Sequence, residues 1–326
     1  MKKILVSVLT VIMVVVSCVI TPNAAGATVL DSEYSIVTND IGFETTRLYK
    51  YNAITGRVSR YIFDFSEFAV GSVAEGEANV SSAYTPYDHV ESRGIIGQDD
   101  RDPVTNVSES PYCKVVKMKM TFENEQGQVA NTQGTGFILG PNLVMTAAHV
   151  IIYPDYGFWP VECKVYTEYL NDSTYEEESS VIEYIIHKEM YDQSTNRTNY
   201  DWAILRTDTD IGNRQGWFGY GFHYTIADFE DTEIITVGFP GDLPTNPSAM
   251  YVCEGTITSC PTKYLAYLDA DVMGNQSGSP VYDADQIVWA VVNASSSAYN
   301  VSQKITPELF YVIKKEKQES MAEWNT

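Results

Sequence analysis

Three polar residues stand in settings that could support a covalent reaction. His149 ends the run VMTAAHV, Asp201 leads into the apolar run WAIL, and Ser277 lies in the glycine turn GNQSGSP. A serine hydroxyl is a poor nucleophile unless an imidazole takes its proton and a carboxylate holds that imidazole in the correct tautomer. Each residue alone has an ordinary interpretation, as a packed histidine, a strand cap or a turn serine. Together, in this order, they predict nucleophilic acyl transfer.

The three residues are far apart in sequence, so the fold must bring them together. From Cys113 onward, short runs that alternate polar and apolar residues recur between turn signals, as in half-buried antiparallel strands. Their spacing predicts an all-β protein, built as a sandwich or as barrels. Only the tail TPELFYVIKKEKQES predicts a helix, with Thr306 as its N-cap and Pro307 as its first residue.

Composition limits the partners of this chain. Its 326 residues, 44% of them hydrophobic, can bury a substantial core in one large domain or two smaller ones. A net charge of -22 argues against nucleic acid, because phosphates would be repelled. No C-x-x-C pair or histidine-rich cluster predicts a metal site, and acyl transfer by serine needs neither a metal nor an organic cofactor. We expect a monomer without stable membrane association.

The N-terminus predicts export. A short basic start, a long apolar run and the small-residue exit Ala25-Gly26-Ala27 are typical of a secretory signal peptide over residues 1–27. We therefore expect a secreted, extracellular bacterial protein. A membrane anchor is one alternative, since the apolar run lies near the lower limit for spanning. Lipid attachment at Cys18 is another, because VVSC resembles a bacterial lipoprotein box.

The segment after the signal is acidic and weakly patterned. We interpret residues 28–93 as a propeptide that is removed on activation, with a flexible extension as the simpler alternative. The sequence ESRGIIGQDD places Arg93 before Gly94, which is a plausible processing site, and Glu91-Ser92 offers another. Zymogen activation is therefore part of the prediction.

Four cysteines follow the predicted signal peptide: Cys113, Cys163, Cys253 and Cys260. An even number in an oxidising compartment permits two disulfides, and four cysteines allow three pairings. Cys253 and Cys260 are close enough in sequence to bridge a hairpin, which would leave Cys113 to pair with Cys163.

Several motifs resemble those of one enzyme family. TAAHV, NYDWAIL and GNQSGSPVY resemble the chymotrypsin-fold serine peptidases, most closely the bacterial glutamyl endopeptidases of Bacillus and staphylococcal type. IIGQDDR, WFGYGF and TVGFPGD extend the resemblance from about Ile95 to the terminal helix. It implies two six-stranded antiparallel β-barrels with an active site between them, protein or peptide substrates, and a serine endopeptidase in which His149 is the general base, Asp201 orients it and Ser277 is the nucleophile.

The resemblance also implies domain boundaries. They are residues 94–326 for the peptidase domain, about 108–215 and 216–305 for its two barrels, and 306–319 for the C-terminal helix. The backbone N–H groups of Asn275 and Ser277 would form the oxyanion hole. Relatives favour glycine where this chain has Asn275, and asparagine is among the residues that best tolerate a positive φ.

The predicted specificity pocket departs from the family. Glutamyl endopeptidases carry a histidine where our alignment places Val292, and a threonine where this chain has Val272. Burying a substrate carboxylate without such partners costs several kcal/mol, so these valines favour an apolar or uncharged side chain before the scissile bond. Asp271 stands at the spacing of the trypsin-like specificity aspartate, so basic and acidic side chains remain alternatives. A protease-fold binding or adhesion module that has lost activity is the alternative function.

Overall fold

The computed structural model describes residues 45–65, 94–223, 228–242, 249–295 and 298–324. The predicted signal peptide, Cys18 and Arg93 lie outside the described residues. Among the residues that are described, no helix is long and apolar enough to cross a membrane.

Sixteen strands are present in the described parts of the chain: β1 (Thr45–Asn52), β2 (Arg57–Asp64), β3 (Asp102–Pro103), β4 (Val115–Glu123), β5 (Val129–Gly140), β6 (Leu143–Thr146), β7 (Glu162–Thr167), β8 (Glu177–His187), β9 (Ala203–Thr207), β10 (Gly219–Tyr220), β11 (Glu233–Gly238), β12 (Tyr251–Ser259), β13 (Leu265–Leu268), β14 (Pro280–Tyr282), β15 (Ile287–Ala294) and β16 (Asn300–Lys304). They form two sheets, and each sheet closes on itself.

The first sheet has the order β2-β1-β8-β7-β4-β5-β6-β9. Because β8 pairs with β7 over one part of its length and with β9 over another, strands β4 to β9 close into a six-stranded antiparallel barrel. The hairpin formed by β1 and β2 extends this sheet from β8. This hairpin lies within the segment predicted as a propeptide, and its regular pairing was not expected from the sequence.

The second sheet has the order β10-β15-β14-β11-β12-β13-β16 and closes through the pairing of β15 with β16. Strands β11 to β16 therefore form a second six-stranded antiparallel barrel, with β3 added at β12 and β10 added at β15. The two barrels and their antiparallel pairing confirm the predicted fold class. Phe137 of the first barrel and Tyr282 of the second contact the same ring, that of Phe218.

The helices are α1 (Lys188–Tyr191), α2 (Ile211–Gln215) and α3 (Pro307–Trp324), and short 3-10 helices cover Tyr112–Lys114, Ala148–Val150, Pro154–Tyr156 and Arg197–Tyr200. The Thr306 hydroxyl accepts the N–H of Leu309 at 3.2 Å, so the predicted N-cap is present. The helix continues past the predicted end at residue 319. Arg206 of β9 contacts the later turns: Glu316 and Glu319 accept hydrogen bonds from it, and Glu323, beyond the predicted end, lies 3.9 Å away.

The predicted disulfides are wrong: all four thiols are free and buried. Cys253 lies within β12 and Cys260 directly follows it. Seven positions of an extended chain span about 20 Å, whereas the Cα atoms of a disulfide lie within about 7 Å. Cys163 pairs across the sheet with Met120 near the end of β4, while Cys113 precedes the start of that strand. The length of β4 thus separates the second pair as well.

Candidate active site

The register of two strands brings His149 and Asp201 together. The last residue of β6, Thr146, pairs with the first residue of β9, Ala203. His149 follows the end of β6 and Asp201 precedes the start of β9, so both residues lie at the same end of the first barrel. The pairing of these two apolar strands therefore determines the position of both polar side chains.

Asp201 holds His149 through both of its carboxylate oxygens. Oδ1 accepts the backbone N–H of His149 at 2.9 Å, and Oδ2 lies 2.7 Å from the ring nitrogen Nδ1. With its proton on Nδ1, the imidazole keeps a lone pair on Nε2 for accepting a proton. Burial opposes the charged imidazolium, but the neighbouring Asp201 carboxylate outweighs it and raises the pKa of His149 above its usual value.

The turn that carries Ser277 is fixed to both barrels. The Ser277 carbonyl accepts the N–H of Thr135 at 3.1 Å, and the Thr135 hydroxyl donates to the carbonyl of Asn275 at 2.9 Å. On the other side, the N–H of Gly278 donates to the Val292 carbonyl at 2.7 Å. Thr135 belongs to the first barrel and Val292 to the second, so the turn bridges the two.

Asn275 has a φ of 73°, in the left-handed region that its residue type was expected to tolerate. Among the described residues, no acceptor is bonded to the N–H groups of Asn275 and Ser277, so both are free to donate. The Asn275 side chain packs against Gly241, since a Cβ built there would lie 2.2 Å from its Nδ2. A glycine at position 241 therefore leaves room for this asparagine.

Ser277, His149 and Asn275 line one cleft of about 620 Å³. Other described residues around it include Tyr153 and Met190 of the first barrel. The structure has no hydrogen bond between Ser277 Oγ and His149 Nε2, a contact that often tightens only when substrate binds. The cleft thus brings together the predicted nucleophile, the predicted general base and one predicted oxyanion donor, while Asp201 contacts His149 without lining the cleft.

The cleft wall from the first barrel was not predicted. Tyr153, Met190, Gln193 and Arg197 lie in loops and short helices after His149 and before Asp201. Their sequence carries no strand or motif signal, and only the closed barrel places them beside the nucleophile turn. The sequence indicates that these residues could line the cleft only by their positions between His149 and Asp201.

The predicted pocket residues lie behind the nucleophile turn, in the second barrel. Val272 and Val292 are buried in the same hydrophobic cluster. The Asp271 carboxylate is buried as well and accepts the N–H groups of Ile96, at 2.6 Å, and Asp100, at 3.2 Å. Burial raises its pKa above the usual value although both N–H donors oppose the change. This carboxylate is therefore already bonded within the chain.

Residues 134–291 match the family of the trypsin-like peptidase domain. A solved structure described as Glu endopeptidase in complex with MPD superimposes with a TM-score of 0.59 at 26% identity, covering 69% of this chain and 99% of that one. The chain has the chymotrypsin fold, and its family match and relatives support a peptidase. The protease Anisep from Arthrobacter nicotinovorans shares the fold, with a TM-score of 0.51 at 16% identity over 68% of this chain and 97% of that one.

Two curated bacterial proteins are similar over most of this peptidase. Glutamyl endopeptidase of Bacillus licheniformis is 28% identical over 294 residues, which cover 86% of each chain. A protein of Bacillus subtilis named extracellular metalloprotease is 27% identical over 261 residues, 78% of this chain and 75% of that one. In the described parts of this peptidase, no three His, Cys, Asp or Glu side chains are grouped so as to hold a metal ion.

Proposed function

We propose that this peptidase is a secreted serine endopeptidase that cleaves peptide bonds through Ser277, His149 and Asp201. The observation that carries the proposal is the double attachment of His149 to Asp201, at 2.9 and 2.7 Å, in the same cleft as Ser277. This attachment orients one imidazole nitrogen toward the carboxylate and leaves the other for the serine. The extracellular and glutamyl endopeptidase names of its relatives support export and endopeptidase activity.

The reaction follows from these positions. His149 Nε2 takes the proton of Ser277 as Oγ attacks the scissile carbonyl, and it then gives that proton to the leaving amine. The N–H groups of Asn275 and Ser277 stabilise the oxyanion, each contributing about 3 kcal/mol. Water, deprotonated by the same imidazole, then hydrolyses the acyl-enzyme. Buried Asp201 stabilises the imidazolium in both steps.

For the residue before the scissile bond, we favour an apolar or uncharged side chain. Val272 and Val292 provide no hydrogen bond to a substrate carboxylate, which would cost several kcal/mol to bury there. Asp271 already accepts two N–H groups, which argues against selection of a basic side chain. The glutamyl endopeptidase name of one relative makes cleavage after glutamate the alternative.

Labelling with a serine-directed fluorophosphonate tests the nucleophile. We expect the parent chain to be labelled and Ser277→Ala to remain unlabelled. Ser279→Ala is the matched control, because this nearby serine is buried and its hydroxyl has no hydrogen-bond partner in the described parts of the chain. Equal labelling of the parent chain and Ser277→Ala, or of neither, would contradict the assignment.

Two further measurements test the remaining parts of the proposal. A peptide-library cleavage profile reports the preferred side chain, and strong cleavage after glutamate would show that the pocket alignment is wrong. N-terminal sequencing of material from the culture medium tests export and processing. A chain beginning at Gly94 or Ile95 is expected, and an uncleaved N-terminus would contradict the zymogen prediction.

A further inference from the structure

The hairpin of β1 and β2, residues 45–65, is integrated into the first barrel although it lies in the predicted propeptide. β1 pairs with β8 from Leu48 opposite His187 to Asn52 opposite Glu183. β7 pairs with β8 over its residues 177–180. The hairpin therefore occupies a stretch of β8 beyond the part paired with β7, and it satisfies backbone groups that would otherwise be exposed.

Apolar side chains of the hairpin belong to the larger core. Leu48 and Phe63 are fully buried, and Phe65 is 2% exposed. The Phe65 ring contacts that of Tyr311 on α3, with centroids 6.4 Å apart. Removing the hairpin would expose these side chains and the core residues that they cover, which disfavours dissociation.

The charge of the hairpin complements the peptidase domain. Residues 45–65 contain four basic residues and one acidic residue, in a chain whose net charge is -22. Lys50 lies 3.0 Å from Glu316 of α3 and 3.5 Å from Glu183 of β8. The Thr46 hydroxyl is 3.1 Å from Nε2 of His187. Electrostatic attraction thus adds to strand pairing and apolar contact.

Two aromatic stacks connect the hairpin to the wall of the cleft. Tyr49 stacks on Tyr191 with centroids 3.9 Å apart, and Tyr51 stacks on Trp159 at 4.9 Å. Tyr191 follows Met190, which lines the cleft. Trp159 follows residue 158, whose carbonyl accepts the N–H of the cleft residue Tyr153. No hairpin residue is among the described residues that line the cleft, so the hairpin supports this wall from behind without covering it.

We propose that residues 45–65 stay bound noncovalently after the chain is cut before Gly94, and that Tyr49 and Tyr51 hold the cleft wall that contains Tyr153 and Met190. The hairpin is then a retained subunit of the mature enzyme. The functional part of this inference rests on the proposed endopeptidase activity, whereas retention does not depend on Ser277.

Retention is tested in the inactive Ser277→Ala chain, which cannot process itself. Residues 80–86 are replaced by the recognition sequence of a site-specific protease, and the cut chain is run on native gel filtration. We expect the N-terminal fragment to elute with the peptidase domain in equal amounts and to separate only in denaturant. Elution of the fragment alone would overturn the proposal.

Variants of the hairpin test the role of the stacks. The double variant Tyr49→Ala, Tyr51→Ala should raise the Kd of the fragment about 10-fold or more. Each stacked pair stabilises the bound state beyond the effect of burying its rings. Ile54→Ala is the matched control, since Ile54 lies in the hairpin turn and is 75% exposed. Retention that is equal in the double variant and the control would overturn the assignment of the stacks.

The support of the cleft wall is tested in the active chain. The double variant should raise KM for a peptide substrate roughly 3-fold or more while kcat changes little, because no triad residue is touched. A loss confined to kcat would overturn the assigned role. If fluorophosphonate labels nothing, the proposed activity fails, but the retention result in the Ser277→Ala chain still decides whether the hairpin stays bound.

Discussion

The two barrels bring different groups to the candidate active site. The first barrel buries Asp201 beside His149 and also buries Lys117, whose ammonium has no hydrogen-bond partner among the described residues. The second barrel carries Ser277 and surrounds Val272 and Val292 with apolar side chains. In the proposed mechanism, the first barrel supplies the groups that move protons, and the second supplies the backbone donors and the apolar residues of the predicted pocket. The proposal therefore assigns reaction type and substrate preference to different halves of the molecule.

Asp201→Asn removes the charge on which the chemistry of the first barrel depends, and we expect the largest effect. An amide disfavours the imidazole tautomer that accepts the serine proton, so kcat should fall about 10⁴-fold. Because Asp201 raises the pKa of His149, the acid limb of kcat/KM should move to lower pH in the variant. A pH–rate profile checks both effects, with exposed Asp285→Asn as the control. A loss below about tenfold would contradict the role of Asp201.

Val272→Thr combined with Val292→His would introduce hydrogen-bonding groups into the apolar pocket. The preference for glutamate over leucine before the scissile bond should rise about 10–100-fold in kcat/KM. Competing peptide substrates measure this ratio. Because both valines are buried, thermal unfolding of the variant must be checked alongside. An unchanged ratio in a folded variant would show that these positions do not contact the substrate side chain.

Lys117→Met would remove a buried charge of the first barrel for which the described residues provide no hydrogen bond. The Lys117 ammonium lies over the Phe239 ring, and burial lowers its pKa to about 8. At pH 7 the variant should gain about 1–3 kcal/mol in free energy of unfolding, because an apolar side chain replaces a buried charge. Denaturant unfolding in a Ser277→Ala background measures this without autolysis.

The pH dependence of the free energy of unfolding, compared between the parent chain and Lys117→Met, gives a second check. Unfolded Lys117 keeps its proton to a pKa of about 10.4, whereas the folded group loses it near pH 8. Between about pH 8 and pH 10.4, the unfolded chain therefore binds one more proton than the folded chain. The free energy of unfolding of the parent chain should rise with pH across this window. This rise should be absent in Lys117→Met and present in Lys263→Met, since Lys263 is exposed. Parallel curves for Lys117→Met and the parent would contradict the lowered pKa.

Asn275→Gly should have the smallest effect. Glycine adopts a φ of 73° without strain and keeps the backbone N–H proposed as an oxyanion donor. Activity should be retained or raised, within about threefold of the parent. Steady-state kinetics on one peptide checks this. A large loss would show that the asparagine side chain, which packs against Gly241, has its own function.

The sequence predicted the features that depend on local pattern. The strand and turn patterns next to them identified His149, Asp201 and Ser277 as candidates. The residue type of Asn275 is one that tolerates its positive φ. Pairing between distant segments could not be predicted in the same way. The β1–β2 hairpin is amphipathic only in part and joins β8 more than 100 positions later. Its tyrosines and valine around a Thr-Gly turn were the available signal.

Specificity and cysteine pairing were harder to predict, since both depend on where side chains point. Asp271 has a trypsin-like spacing, yet its carboxylate bonds to the segment that contains Ile96. Cys253 and Cys260 are close in sequence but occupy a single extended strand and its end, and no turn brings them together. Spacing alone could not distinguish these arrangements from the predicted ones.

The four unpaired thiols make the folding of this peptidase independent of an oxidant. Burial raises the pKa of the Cys163 thiol to about 12, so almost none of it is thiolate, the form that reacts. Reducing agents should leave the native protein intact, and disulfide-forming catalysts are not needed for its maturation. Cys163 lies within β7 and is 3% exposed, so alkylating reagents should reach its sulfur only when the first barrel opens. This cysteine is therefore an intrinsic reporter of unfolding, and its alkylation rate would measure how often the first barrel opens.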